Sequence, residues 1–455
     1  MKDDNRTREE AAGRSIDAIK RLLKGRADAW EIFYSFDTGV GVEAKDGQVD
    51  ALKARTGSGV GLRTLRGGRQ GFGFSSVLSE GAFKELVDNT LAGSLEAARD
   101  EFLSFPSPAP APPAGALRVF DDRWDEGTEQ ARLATAIEIE RVARAYDSRI
   151  NRVRKASYQE SLRYSRVVNS NGVDASHTAT YYSGSVTAVA EQDGESQMGW
   201  DMEMGHTRDR VDPDQIGTRA GQTAVRLLGA RKIKTVKCPA VFENLISCEM
   251  LEALATSMLG DNVRKGKSML IDKVGKKVVS GVLNVWDDGL LPGGWSSSAF
   301  DGEGVPRSRT PLLSAGVLRG YLYDSYWAKR AGAASTGNAS RSSFKGLPSV
   351  GISNLYIENG TKTLDELFSE MGDGLFITEL LGVHTINSVT GDYSLGAAGF
   401  RVEGGKVAYP VRGMAVAGNL LDTLMKVGGC ADDLRFVGSI GAPSLLINEI
   451  EASGS

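Results

Sequence analysis

Apolar residues between positions 29 and 76 recur at nearly every second place, in short runs broken by glycine-rich turns, and this alternation predicts an antiparallel meander. Within it, "KDGQ" at residues 45–48 marks a hairpin turn, because an Asp-Gly pair tolerates the left-handed backbone that tight turns need. A helix is expected before the meander and another after it, where Phe83, Leu86, Val87, Leu91 and Leu95 fall near helical spacing behind Ser79, a candidate N-cap. Helical periodicity returns over residues 127–147, and β-like text with an Asn171-Gly172 hairpin signal follows. Asp212-Pro213 opens a further helix through Ile216, Ala220 and Leu227, since the carboxylate can cap and proline fits the first turn. "RKIKTVKCPAVFE" then reads as a strand entering a new unit. Residues 251–268, "LEALATSMLGDNVRKGKS", read as an amphipathic helix halting at Gly260-Asp261, with Leu251, Leu254, Ala255, Met258 and Leu259 as its apolar stripe. Beyond it the chain is mostly strands and glycine-rich turns, with no repeat of 20–50 residues.

These elements predict an α+β fold: N-terminal helices packed on an antiparallel sheet, a central helix-hairpin segment and a strand-rich C-terminal domain. Five of the thirteen prolines lie in "FPSPAPAPPAG" at residues 105–115, a stretch unable to continue a helix or a central strand. The expected divisions are therefore 1–104, a linker at 105–115, 116–235 and 236–455. With 455 residues, 41% of them hydrophobic, the chain is long enough for two or three cores.

Charge and cysteine content narrow the function classes. A net charge of −4 argues against direct nucleic-acid binding, and the basic clusters "RINRVRK" and "ARKIKTVK" read as solvated strand faces. The charged N-terminus lacks the apolar core of a signal peptide, and no apolar run approaches a membrane span, so a cytoplasmic location without membrane association is expected. Cys238, Cys248 and Cys430 are too widely spaced for a CxxC zinc site and odd in number, which fits reduced thiols. Only three histidines exist, His177, His206 and His384, and no two lie within a helical turn or two of each other. A histidine-built catalytic metal site is thus not expected from this chain, and His177 and His206 read as surface or satisfied polar residues. His384, Asp392 and Ser394 are close in sequence, but a triad is a matter of spatial geometry, and no G-x-S-x-G elbow, P-loop or dinucleotide fingerprint is present. Cys430 behind Gly428-Gly429 reads as a small buried apolar residue.

Several long segments in order, "GDNVRKGKS", "FDGEGVPRSRTPLLSAGVLRGYLYDSYWAKRAG", "GDYSLGAAGFRVEGGKVAYPVRGMAVAGNL" and "GSIGAPSLLI", together with "DGQVDALKARTGSGVGLRTLRGGRQGFGFSS" near the N-terminus, resemble the TldD/PmbA family, also called modulators of DNA gyrase. The resemblance implies two branches: TldD chains carry an H-E-x-x-x-H zinc helix just before G-D-x-x-R-K-G, and PmbA (TldE) chains do not. Here the two histidine positions fall on Leu251 and Thr256 and the glutamate position on Glu252, while Cys430 falls about one position from the cysteine that completes the TldD site. The ending "VGSIGAPSLLINEI" is similar to the PmbA branch.

On this resemblance the chain is expected to be the non-catalytic subunit of a TldD/TldE metalloprotease that degrades or processes unfolded peptides. It would hold no catalytic residue, metal or cofactor of its own, with zinc in a TldD-type partner. Asp261, Arg264, Lys265, His384 and Asp392 are the candidates for a wall facing substrate or partner. Self-association into a homodimer stays open when the chain is alone. Two other readings also stay open: a stand-alone peptidase acting through Cys430 or a histidine-centred site, and a regulatory binding protein acting on gyrase.

Overall fold

A computed structural model describes residues 5–110 and 112–454. The first half builds one six-stranded antiparallel sheet. Its strands are β1 (Ala29–Lys45), β2 (Gln48–Arg66), β3 (Arg69–Ser75), β4 (Ile150–Asn169), β5 (Asp174–Gln192) and β6 (Glu195–Gly205), in the order β3-β2-β1-β4-β5-β6. The predicted turns are present: Asp46 and Gly47 have φ of 52° and 72° between β1 and β2, and Gly172, φ 97°, lies between β4 and β5. β1 pairs with β4 from Glu31↔Asn169 to Ala44↔Ala156, so the segments on either side of the proline-rich stretch share one continuous sheet. That stretch is strapped to the sheet: Asn169 Nδ2 donates to the Pro106 carbonyl at 2.9 Å, and Asn171 Nδ2 donates to the Phe105 carbonyl at 2.7 Å.

Even-numbered residues of β1 and β4 turn to one face, which four helices cover in two pairs. Helices α1 (Asn5–Leu23) and α2 (Glu80–Glu96) enclose Ile32, Tyr34, Tyr164 and Val168 at one end of the long strands. Helices α3 (Glu129–Ala145) and α4 (Pro213–Arg226) enclose Val42, Ala44, Ala156 and Tyr158 at the other. The predicted caps form: Ser79 accepts from the Ala82 N–H, and Asp212 accepts from those of Asp214 and Gln215. Leu95 departs from the predicted stripe. It lies in the last turn of α2 and is 53% exposed.

The second half is strand-rich, as expected. Strands Val236–Phe242, Gly374–Leu381, Asp392–Glu403, Lys406–Asn419 and Leu445–Ser453 pair in a closed circuit, because the last strand bonds both to Val236–Phe242 and to Lys406–Asn419. Closure removes the free edges of these five strands. A second sheet of short strands includes Val285–Asp288, Leu355–Ile357 and Ile440–Ala442, and helix α5 (Asn244–Ala255) packs against strands of both sheets. The predicted 251–268 helix is therefore displaced. It begins at Asn244, passes into a 3₁₀ turn at Thr256–Met258 and breaks at Leu259, and Gly260-Asp261 starts a separate short helix, α6 (Gly260–Arg264). A glycine is required at that break, because a Cβ on Gly260 would lie 2.0 Å from the Tyr323 ring. Among the described residues, no helix is long and apolar enough to cross a membrane.

Candidate functional site

Helix α5 is built for packing. Leu251, Leu254, Ala255 and Met258 are all buried, while Glu252 and Thr256 point to solvent. The Thr256 hydroxyl donates to the Ala253 carbonyl at 3.3 Å, the ordinary arrangement of a threonine on a helix surface. Cys430 is buried on the strand Val427–Cys430, and burial pushes its thiol up to about 11, which leaves it protonated and a poor nucleophile near neutral pH. Among the described residues no three His, Cys, Asp or Glu side chains form a group able to hold a metal ion.

The five candidate wall residues fall in two places. Asp261, Arg264 and Lys265 belong to α6 and its C-cap, where the Lys265 ammonium contacts Asp261 at 2.8 Å and lies 4.9 Å above the Trp327 ring. His384 sits exposed in a 3₁₀ turn at Val383–Thr385. Asp392 accepts from Thr390 Oγ1 at 2.7 Å and Asn419 Nδ2 at 3.0 Å, and those two bonds hold its carboxyl below the usual range. No hydrogen bond or ion pair joins His384 to Asp392 or Ser394 among the described residues, so no triad is assembled there. The loop between them is tied to the end of α5 by the Ser257 hydroxyl donating to the Ser388 carbonyl at 3.1 Å.

A cleft lies elsewhere, between the sheet face that carries no helices and the C-terminal half. Odd-numbered residues form its floor: Ser35, Asp37, Gly39 and Gly41 on β1, Ser161, Arg163 and Ser165 on β4, and His177, Tyr181 and Ser183 on β5. The roof comes from residues 295–302 and 339–344 of the C-terminal half. A cavity of about 550 Å³ at one end and a second of about 320 Å³ meet at Arg55, Arg163, Tyr181 and Trp295. None of the five sequence-predicted wall residues lines either part. The sequence did hold a signal, the run of Gly and Ser at alternate positions of β1 and β4, but glycine-rich alternation fits tight turns equally well until the strands' long register is known.

Two histidines flank this cleft in different ways. His206 is held on two sides, with Nδ1 2.7 Å from the Thr180 carbonyl oxygen and Nε2 3.0 Å from that of Gly294; the neutral ring that burial favours donates to one of them, and only the imidazolium donates to both. His177 differs from expectation: its ring lines the larger cavity and has no hydrogen-bond partner among the described residues. Burial first, then the charge of Arg307, pushes its pKa down to about 4, so the ring is neutral at pH 7. Asp301, on the opposite wall, is pushed up to about 7 by burial and by Glu303, although three backbone N–H groups donate to it at 2.8–3.0 Å.

Comparison with known proteins accounts for this architecture. Models of the PmbA/TldA metallopeptidase domain 1, central domain and C-terminal domain match residues 30–98, 123–228 and 235–454. The chain belongs to the PmbA/TldD family. Metalloprotease PmbA of Escherichia coli O157:H7 is 28% identical over 97% of this chain and 95% of its own, and a metalloprotease TldD homologue of Haemophilus influenzae is 23% identical over 90% of each. A Thermotoga maritima structure designated a modulator of DNA gyrase superposes with a TM-score of 0.89 at 25% identity, covering 97% of this chain and 100% of that one. TldE from Thermococcus kodakarensis shares the fold at a TM-score of 0.89 and 21% identity, with the same coverage. A peptidase-related role at the family level follows.

The metallopeptidase designation implies a metal, and the side chains present do not fit one. Leu251 offers no lone pair and is 2% exposed in the core, Thr256 engages its own helix, and the buried Cys430 thiol stays protonated. Tetrahedral zinc needs three or four donors from nitrogen, thiolate or carboxylate, and this part of α5 supplies only Glu252.

Proposed function

We propose that this chain is a PmbA/TldE-type subunit without hydrolytic chemistry of its own, acting beside a TldD-type homologue that holds the zinc. In the assembled protease it would form one wall of the chamber that receives unfolded peptides for degradation or processing, in the cytoplasm. The observation that supports this most is the replacement of metal donors on α5 by core packing at Leu251. A glutamate at position 252 has no metal-bound water to deprotonate and therefore restores no hydrolysis by itself.

The cleft gives the wall a physical form. Its floor is made of central strands whose backbone groups are already paired within the sheet, so a peptide lying there is held by side chains and not by strand addition. Without a TldD-type partner, the surface that meets one would be free to accept a second copy of this chain.

The test is peptide hydrolysis by the purified chain, with and without added zinc, and again after mixing with a TldD-type homologue. Cleavage only in the mixture is the expected result. Cleavage by the chain alone, abolished by Cys430→Ala or His384→Ala, or stoichiometric zinc in the isolated protein, would overturn the proposal.

A further inference from the structure

We infer that the larger cavity of the cleft is a subsite for the α-carboxylate of an extended peptide, with Arg163, Arg307 and His177 as its recognition groups. The inference rests on the proposal that peptides are the substrates and adds which end of the peptide is read.

Charge balance within the cavity points to an anion. Arg55 is offset by Asp37 at 3.5 Å, and the charge of Arg341 is met by Glu31, which also holds Arg63, in one buried network, although Nε and Nη1 of Arg341 have no hydrogen-bond partner among the described residues. The Asp301 carboxylate is committed to its three backbone donors. Arg163 and Arg307 remain without a carboxylate in ion-pair distance among the described residues. Arg163 rests 5.3 Å from the centre of the Tyr181 ring, and Arg307 uses only Nε, on the Phe300 carbonyl at 3.3 Å, which leaves its buried Nη1 without a partner. A buried guanidinium nitrogen with no acceptor is costly, and a ligand oxygen would satisfy it.

Strand register brings the groups together. Ser165 pairs with His177 and Arg163 with Ala179, so Arg163 and His177 are diagonal neighbours on one face, roughly 7–8 Å apart at Cα. His177 and Arg307 are close enough for the arginine's charge to depress the histidine's pKa. The cleft then runs along β1 from Phe33 to Glu43, about 33 Å of extended chain at ~3.3 Å per residue, with the small residues Ser35, Gly39, Gly41 and Ser161 among those underneath. A backbone fits above that floor. Since the strands beneath offer no free N–H or C=O groups, the charged terminus is where affinity is concentrated.

A carboxylate is favoured over phosphate because the lining also holds Asp37 and Asp301, which would repel a dianion more strongly than a monoanion. Binding should also favour the protonated forms of His177 and of Asp301, whose carboxyl burial pushes up to about 7, so affinity rises as pH is lowered from 7 towards 5.

The experiment is calorimetric titration of the full chain with N-acetyl-Ala-Ala-Ala-Ala-Leu as the free acid and as the carboxamide. The acid is expected to bind about tenfold or more tightly than the amide, with an affinity that falls as salt is raised. Arg163→Gln, a substitution at a solvent-exposed strand position, should remove most of that difference. In parallel, the His177 imidazole resonances should titrate at higher pH when the acid is bound. Equal binding of acid and amide, or a preference unaffected by both Arg163→Gln and Arg307→Gln in folded protein, overturns the carboxylate subsite while leaving peptide capture intact. No binding of either probe overturns it too, and the mixed-subunit hydrolysis assay then decides separately on the broader proposal.

Discussion

Arg63 on β2 reaches across the domain boundary to Glu303, Nη2 to Oε1 at 2.8 Å, with both side chains almost fully buried. The same guanidinium holds Glu31 through Nε at 3.0 Å and Nη2 at 2.8 Å, and Arg341 adds a contact to Glu31 from the C-terminal half. Burial works against the Arg63 charge, but the two carboxylates outweigh it and hold its pKa above the ordinary value. Removing one member of such a network leaves charges buried without compensation, at a cost of about 3–5 kcal/mol. Arg63→Met is therefore expected to lower the unfolding free energy, read from urea denaturation, by that amount, far more than Arg152→Met on an exposed strand face. Glu303 is held below its ordinary pKa of 4.5, against burial and mainly by Arg63, so its contribution is present above pH 4.5 and lost as the pH falls below it.

Helix α5 separates packing from ligation. Leu251→Ala deletes a core side chain that is 2% exposed and is expected to cost about 2–5 kcal/mol, whereas Thr256→Ala at the solvent face should stay within about 0.5 kcal/mol. Denaturation of both variants, with and without added zinc, checks the point: on a ligand-bearing helix the two changes would both abolish a zinc-dependent gain in stability, and here no such gain is expected in the parent chain.

How far the sequence carried these conclusions varies by element. The Asp46-Gly47 turn, the Ser79 and Asp212 caps and the α4 stripe were legible because each depends on a few adjacent residues whose local chemistry decides the backbone. Helix α5 was misplaced because "NLISCEM", its true start, buries residues on several sides between two sheets, so the one-sided period that marks a surface helix is absent. The cleft was not legible at all. Arg163 and His177 become neighbours only through the β4–β5 register, and Arg307 joins them from a loop about 130 residues further along. Leu95 continued the spacing of α2 correctly and still faces water, because spacing says which side of a helix a residue takes and not how far along it the packing extends.

Glu249 predicts a pH effect. It sits on α5 with Oε2 buried and unpartnered, and burial, helped by the charge of Glu252, pushes its pKa up to about 7 from an ordinary 4.5. A carboxyl whose folded pKa is raised binds more protons folded than unfolded between those values, so its presence costs stability progressively as pH rises from 4.5 through 7. Glu249→Gln keeps the shape and removes that cost. Thermal unfolding should show the variant about 2 °C more stable at pH 8 and unchanged at pH 4. An equal gain at both pH values would show that the carboxylate charge is not the cause.

The glycines of β2 set how closely the C-terminal half can approach the open sheet face, and they make an ordered prediction. A Cβ on Gly57 would meet only the Asp37 carboxylate at 3.2 Å, one on Gly59 would lie 2.4 Å from the Phe344 ring, and one on Gly61 would lie 2.5 Å from the Phe344 backbone oxygen. The first obstacle is the end of a side chain that can turn aside, the second is a ring that is 8% exposed with little room to move, and the third is main chain. Glycine-to-alanine changes inside a strand ordinarily gain stability through the unfolded state. Here the order of Tm should be Gly57→Ala above Gly59→Ala above Gly61→Ala, with the last losing about 1–3 kcal/mol from forced displacement of the 340–344 segment. Because Arg341 and Phe344 in that segment roof the larger cavity, Gly61→Ala should also weaken binding of the free-acid pentapeptide, while Gly57→Ala should leave it nearly unchanged.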